Sequence, residues 1–416
     1  MSAGTPTRPI DHRQAALRPT LAVAMFALLL LAYAVNAMDR MVFPVLLPEV
    51  RQEHGFGLQA AGLQATVFAL GMGLAGLPAG QLQRRYSRRS LIVFGTLVFS
   101  VATAMTTLSF GFVDMLVWRV LSGVGEALQL AAILTVASAA FPARRGVAIG
   151  AVNVAFASGA LIGPALGSVL LKEYDTWRAP MIAFGIIGVV LGLAVLCVVS
   201  PRLTEATAAD GPHPQTGGAA SILSRTPLTL AAVTALFGLV DFAFIGLYAS
   251  YLRENLSFSP GTAGFVVGLS GLAAFASPLG GYIVDRVSAR VLLPLLNLAV
   301  AACGCALFLG PDTRVWQGGF SFLFGLFASS GMYVAAAGYL IKSVSSDLAS
   351  RAAGLFVTCI YVAAGFAGLL FSALVDATGW TTAGLVQIVA LSILGAALAT
   401  TITPHDFSRP VTAQER

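Results

Sequence analysis

Apolar runs of roughly 20 residues or more, each long enough for a membrane-spanning helix, recur along the chain between short polar breaks. They fall near 21–47, 57–83, 91–110, 113–140, 146–171 and 178–200, then near 227–251, 261–284, 291–310, 315–341, 352–374 and 381–402. Twelve spans is the natural count, with eleven as the alternative. Glycine-rich stretches such as "ALGMGLAGLPAG" and "GALIGPALGSVL" suit closely packed helices, because small residues let backbones approach.

Composition turns this pattern into a class. Of 416 residues, 57% are hydrophobic and 10% charged, with a mean hydropathy of +0.85. Soluble domains carry roughly a quarter charged residues, so most of this surface must face lipid. The expected fold is all-α: an integral membrane protein of twelve transmembrane helices in two six-helix, pseudo-symmetric bundles.

Orientation follows from the basic residues. Loops on the amino-terminal side hold Arg84, Arg85, Arg88, Arg89, Arg144, Arg145, Arg202, Arg225, Arg286, Arg290, Lys342 and Arg351; Arg8, Arg13, Arg18, Arg409 and Arg416 from the tails bring the total to 17. The opposite loops hold five: Arg51, Lys172, Arg178, Arg253 and Arg314. Both termini are expected in the cytoplasm, with the protein in the cell (inner) membrane. The net charge of +6 is a topological signature and implies no nucleic-acid partner.

The longest polar stretch, Pro201 to Pro227, is rich in Ala, Gly, Pro, Ser and Thr and reads as a flexible cytoplasmic linker. The expected organisation is a tail at 1–18, a bundle at 19–200, the linker at 201–227, a second bundle at 228–402 and a tail at 403–416. The halves echo each other: "GQLQRRYSRR" from Gly80 and "GYIVDRVSAR" from Gly281 stand 201 residues apart, with Gly, Arg, Ser and Arg recurring. Two similar six-helix halves are the trace of a transporter built around a midplane site.

Other classes find little support. Arg8, Arg13 and Arg18 precede an apolar stretch ending in "AYA", as in a signal peptide, but the run resumes beyond Arg40, too far for a secretory signal. Cys197, Cys303, Cys305 and Cys359 lie in apolar runs without metal-ligand spacing, and His12, His54, His213 and His405 fall in tails or loops, so no metal and no cofactor is expected. No Walker-type "GKS" or "GKT" provides for ATP. Neither a Ser/His/Asp set in the membrane nor a large soluble domain argues for an enzyme.

"GYIVDRVSAR" resembles the cytoplasmic loop motif Gly-x-x-x-Asp-Arg-x-x-x-Arg of major facilitator superfamily transporters, with Gly281, Asp285, Arg286 and Arg290 in place. The first-half copy keeps Gly80, Arg85 and Arg89 but has Arg84 where the family has Asp and Ser87 where it has Gly. Since that Asp helps latch the family's cytoplasmic gate, a one-sided latch is implied. "NAMDR" in span 1 and "RVLSGVGEA" in span 4 are similar to spinster-like lipid transporters and to proton-coupled organic anion symporters. "GALIGPALG", Gly159 to Gly167, resembles a fifth-span motif of proton-driven exporters. The resemblance covers essentially the whole chain.

Charges inside a membrane are functional hypotheses by default, and five fall within the spans: Asp39, Arg40, Arg119, Glu126 and Asp241. Counting from the outer ends, Asp39 is nine residues deep and Glu126 twelve. Their depths therefore differ by roughly 5 Å, and spans 1 and 4 are neighbours in the superfamily. Arg119 and Glu126 lie two turns apart, sharing a face with Ser122 and Gln129. Asp39 and Arg40 are adjacent, so one is expected to face the cavity and the other a neighbouring helix.

Asp39 and Glu126 are expected to carry protons, with Arg119 tuning Glu126. Asn36, Arg40, Gln129, Asp241, Tyr333 and Tyr361 are candidate substrate contacts. With all five charges ionised the cavity sums to −1; protonating Asp39 and Glu126 makes it +1, which attracts an anion. The alternative is that Asp39–Arg40 and Arg119–Glu126 merely neutralise each other and lock helices, with Asp241 paired to Arg40 or Arg119. The expected function is proton-coupled transport of a small organic solute, an organic anion first. An amphiphile or drug exporter driven by proton antiport is the second reading. The expected partners are the solute, protons and the bilayer, and the expected state is a monomer.

Overall fold

The structure, a computed structural model, describes residues 18–55, 58–206, 215–258, 260–403, 407 and 409–410. The first 17 residues, the middle of the linker and most of the carboxy-terminal tail lie outside the described residues.

Among the described residues twelve long helical segments follow one another. In the first half these are α1 (Pro19–His54), α2 (Leu58–Leu82), α3 (Arg88–Thr106), α4 (Phe112–Ala140), α5 (Arg145–Tyr174) and α6 (Arg178–Val198). The second half has α7 (Arg225–Ser250), then α8, built from Pro260–Ala273, Ala274–Ala276 and Ser277–Val284. It continues with α9 (Ala289–Leu309), α10 (Arg314–Lys342), α11 (Ala349–Thr378) and α12 (Trp380–Thr400). Among the described residues eleven helices contain an apolar stretch long enough to cross a membrane; α2 contributes the shorter run Val67–Leu82. Several helices overrun their apolar cores, as α1 does by reaching His54, because backbone hydrogen bonding extends past the lipid-facing stretch.

Glycine sets the helix spacings inside each half. A Cβ at Gly163 of α5 would lie 2.7 Å from Met38 Cα of α1, and one at Gly95 of α3 would lie 2.5 Å from the Gly125 carbonyl of α4. The motif "GALIGPALG" therefore seats α5 against the turn of α1 that carries Asp39 and Arg40. Helix α4 is buried almost continuously from Ser122 to Ser138, save Val124; its apolar residues face protein rather than lipid.

The halves meet along α2 with α11 and α5 with α8, at the end bearing the basic loops. There Gly80 faces Ser350 and Gly146 faces Gly281, backbone against backbone. Asn153 of α5 donates to Ser277 Oγ and to the Ser329 carbonyl, each at 2.7 Å. Toward the opposite end of α8, a Cβ at Gly264, Gly268 or Gly271 would meet nothing within 4 Å. The halves touch at the basic end and leave these glycines uncovered at the other.

The linker is more anchored than its composition suggests. Pro201–Thr204 forms one helical turn, and the carboxylate of Glu205 accepts from the Arg88 and Arg89 amides, both at 3.1 Å, at the start of α3. Gln215–Thr216 pairs antiparallel with Arg409–Pro410, and Ala219 bridges to Val344. Helix α7 already begins at Arg225, ahead of the expected bundle boundary.

Candidate functional site

Four polar or charged residues one helical turn apart, Asn36 with Arg40 on α1 and Glu126 with Gln129 on α4, face each other where α1 crosses α4. Arg40 is 7% exposed and Glu126 fully buried. The Arg40 guanidinium reaches the Glu126 carboxylate with Nε at 3.0 Å and Nη2 at 2.8 Å. It also donates to Asn36 Oδ1 at 2.9 Å and to the Tyr361 hydroxyl of α11 at 2.6 Å. Rings of Phe68, Phe156 and Tyr361 lie 5.2–5.5 Å from its centre. Asn36 then donates to Gln129 at 2.7 Å, and Gln129 to Thr96 of α3 at 2.9 Å. The chain of bonds runs from α3 through α4 and α1 into the second half.

Asp39 turns the other way, as adjacency on a helix requires. Its Oδ2 accepts from Thr103 Oγ1 at 2.6 Å, and its Oδ1 has no hydrogen-bond partner among the described residues. Ser122 stands between the two acids, with its hydroxyl 3.3 Å from Asp39 Oδ2 and 3.3 Å from Glu126 Oε1. One hydroxyl thus stands within hydrogen-bond reach of two buried carboxylates.

Arg119 overturns one pairing. The structure joins Glu126 to Arg40, not to Arg119, whose Nε and Nη1 lack hydrogen-bond partners among the described residues. Its guanidinium packs on Phe43 at 4.3 Å and Phe68 at 4.8 Å, since a flat, weakly hydrated cation is held well by aromatic faces. Asp241 likewise makes no ion pair with Arg40 or Arg119. Although 7% exposed, it has no hydrogen bond or ion pair among the described residues. Tyr333 stands within electrostatic reach of Arg40 and Tyr361, edge-on to Phe356 at 5.2 Å. Tyr248 of α7 packs in a stack with Phe244 and donates to Gln317 at 2.7 Å.

The loop motifs behave asymmetrically. Asp285 accepts from the Gly146 amide at 2.9 and 3.0 Å, placing a carboxylate on the first turn of α5 in the other half, and pairs with Lys342 at 2.7 Å. A carboxylate there satisfies a free amide and the positive helix end together. Gly281 and Gly80 provide the backbone approaches. Arg286 lies over Tyr282, and Arg89 is bonded to the Leu196 carbonyl. The side chains of Arg84, Arg85 and Arg290 are exposed and make no hydrogen bond or ion pair among the described residues.

Thr103 and the ring faces of Phe43, Phe68 and Phe156 escaped sequence reasoning, and spacing puts Ser122 on the right face of α4 without showing its role between the two acids. Ser and Thr are common in packed membrane helices, so spacing alone does not mark a hydroxyl that serves a carboxylate.

A family model described as Major Facilitator Superfamily matches residues 29–368 and 230–415. A hexuronate transporter of Bacillus subtilis (strain 168) is 24% identical over 274 residues, 62% of this chain and 63% of that protein. Multidrug resistance protein MdtL of Klebsiella pneumoniae (strain 342) is 24% identical over 273 residues, 63% and 67% of the two chains. Protein spinster of Drosophila melanogaster is 27% identical over 168 residues, 40% of this chain and 28% of that protein. Matches to curated relatives span from about a quarter to two thirds of those proteins' own length. The crystal structure of the human organic anion transporter MFSD10 (TETRAN) superposes with a TM-score of 0.69 at 15% identity, covering 92% of this chain and all of that one.

Proposed function

Because the chain belongs to the major facilitator superfamily, we propose that this membrane transporter is proton-coupled and carries a small organic anion, a carboxylate, by alternating access. The observation that carries the reading is the Ser122 hydroxyl shared between Asp39 and Glu126, with Glu126 held by Arg40. Arg40 cannot lose its proton, so it always needs a negative partner in so dry a place. While Glu126 is ionised it fills that role. A proton arriving at Glu126 frees the guanidinium for a cargo carboxylate, and the pocket charge moves from repelling to attracting an anion. Asp39, joined through Ser122, is the second proton carrier, and Arg119 acts on both acids by its field. Asn36, Gln129 and Tyr361 orient Arg40; Tyr361 belongs to the other half, so cargo exchange at Arg40 is felt across the seam.

The names of the hexuronate transporter and the organic anion transporter support an anionic cargo. A second reading, proton-driven export of an amphiphile, has its own support: Asp241 lacks a partner among the described residues and suits a cationic cargo. The basic loops favour a cell-membrane location with both termini in the cytoplasm, which makes the closed end cytoplasmic. We take the working unit to be a monomer.

Proteoliposomes test the assignment. Glu126→Gln should abolish accumulation driven by a pH gradient while sparing cargo binding, and Asp39→Asn should do likewise. If Glu126→Gln accumulates cargo like the native protein, the proton role is wrong and the buried charges are helix glue.

A further inference from the structure

The seam between α2 and α11 contains a contact that the proton and cargo roles do not use. A Cβ at Gly73 would lie 2.6 Å from the Val362 amide nitrogen, and one at Gly76 would lie 2.6 Å from the Thr358 nitrogen. One at Gly80 would lie 2.5 Å from the Ser350 carbonyl oxygen. Two backbones from different halves touch here, and the missing side chains of α2 permit it. Within the seam, Thr358 of α11 donates its hydroxyl to the Gly73 carbonyl at 2.7 Å and accepts from the Leu77 N–H at 2.8 Å. Gly73 and Leu77 are four residues apart, so these are the two groups an α-helix normally joins to each other. One hydroxyl from the second half bridges the donor and acceptor of a single turn in the first. Pro78 follows within α2 and has no amide to offer Leu74, which makes this the turn with least bonding to lose.

We propose that Thr358 is a positioning residue of the transport cycle, a reversible polar latch that favours closure of the basic end. Alternating access requires this seam to open. Parting an ion pair would strand charges, whereas here each group has a second partner ready. On separation, the Leu77 N–H and Gly73 carbonyl close on one another as an ordinary helical bond. The Thr358 hydroxyl turns back to the carbonyl four residues earlier in its own helix, Gly354, as Thr does in helix interiors. No buried polar group is orphaned in either state, so the latch adds bias to the closed form without a large barrier. The two bonds of the closed seam are full ones, whereas in the open form the hydroxyl only shares the Gly354 carbonyl, already engaged in its own helix. The expected weight is therefore at most one net hydrogen bond, a change of up to roughly five-fold in the ratio of closed to open molecules. The proposal rests on rocking of the two halves, not on which residues carry protons or cargo, so it stands or falls separately from Glu126.

Spin labels at Tyr86 and Asp347, exposed loop positions of opposite halves at the basic end, read the opening by pulsed dipolar distances in a cysteine-free background. Thr358→Val keeps the branched shape and removes the hydroxyl; it should raise the open-to-closed ratio by up to about five-fold. Thr358→Ser should restore the native distribution. Should the valine variant fail to give monodisperse protein, Thr358→Ala provides the hydroxyl-free form and is judged by the same ratio. A hydroxyl-free variant with the native distribution overturns the latch. So does a serine variant that opens like valine, because the effect would then belong to side-chain shape.

Discussion

Arg40 and Glu126 form a buried ion pair at 2.8 Å between α1 and α4, and the same guanidinium holds the Tyr361 hydroxyl of the opposite half at 2.6 Å. One cation thus joins the acid of one helix pair to the opposite half of the molecule. Removing either partner leaves the other charge buried and uncompensated, which is the expensive case for such pairs. A double-mutant cycle of Arg40→Gln and Glu126→Gln should therefore be non-additive in thermal stability, the double variant being about 2 kcal/mol more stable than the sum of singles. Additivity within about 0.5 kcal/mol would mean the pair is not coupled.

The basic-end gate should respond unequally to its two loops. Asp285 caps α5 and pairs with Lys342, whereas Arg84 is exposed with no side-chain partner among the described residues. Asp285→Asn weakens a bond that crosses the halves; Arg84→Ala removes nothing that does. Label distances across the gate should widen for Asp285→Asn and stay native for Arg84→Ala. Equal shifts count against a one-sided latch.

At the opposite end, Glu53 of α1 accepts from Trp177 Nε1 at 2.8 Å and from Arg178 Nη1 at 2.7 Å. These bonds, those from Arg178 first and Trp177 next, hold its carboxyl down to about 2 from an ordinary 4.5. A lowered carboxylate stabilises the fold above its unfolded value and ceases to do so as pH falls toward the folded one. The window is therefore pH 4.5 down to about 2. Both side chains are more than a third exposed, so solvent screening keeps the effect small. Melting curves of purified protein should place native above Glu53→Gln by about 2 °C at pH 6, with the gap closing by pH 2.5. A gap that persists unchanged at pH 2.5 removes the carboxylate from the explanation.

Topology has a direct chemical test. Ser221 is exposed in the linker, on the face assigned to the cytoplasm. A cysteine placed there should stay unreactive to an impermeant reagent added outside intact cells and react after the membrane is opened. Labelling from outside inverts the orientation.

The apolar run lengths, the repeat of "GQLQRRYSRR" in "GYIVDRVSAR" and the sparse intramembrane charges were enough to give twelve spans, two related halves and the residues worth watching. Each is a local property: hydrophobic thickness fixes helix length, and buried charge is too costly to keep idly. Partner choice is not local. Sequence spacing set Arg119 beside Glu126 on one face of α4, yet Glu126 found Arg40 of α1, which the crossing of the two helices sets opposite it, while Phe43 and Phe68 hold the Arg119 guanidinium. The role of Ser122 between two acids, the amide of Gly146 under Asp285 and the Thr358 hydroxyl inside a turn of α2 depend on distances between helices far apart in the chain. Only packing sets those distances, and an ångström there decides whether two groups bond or merely share a depth.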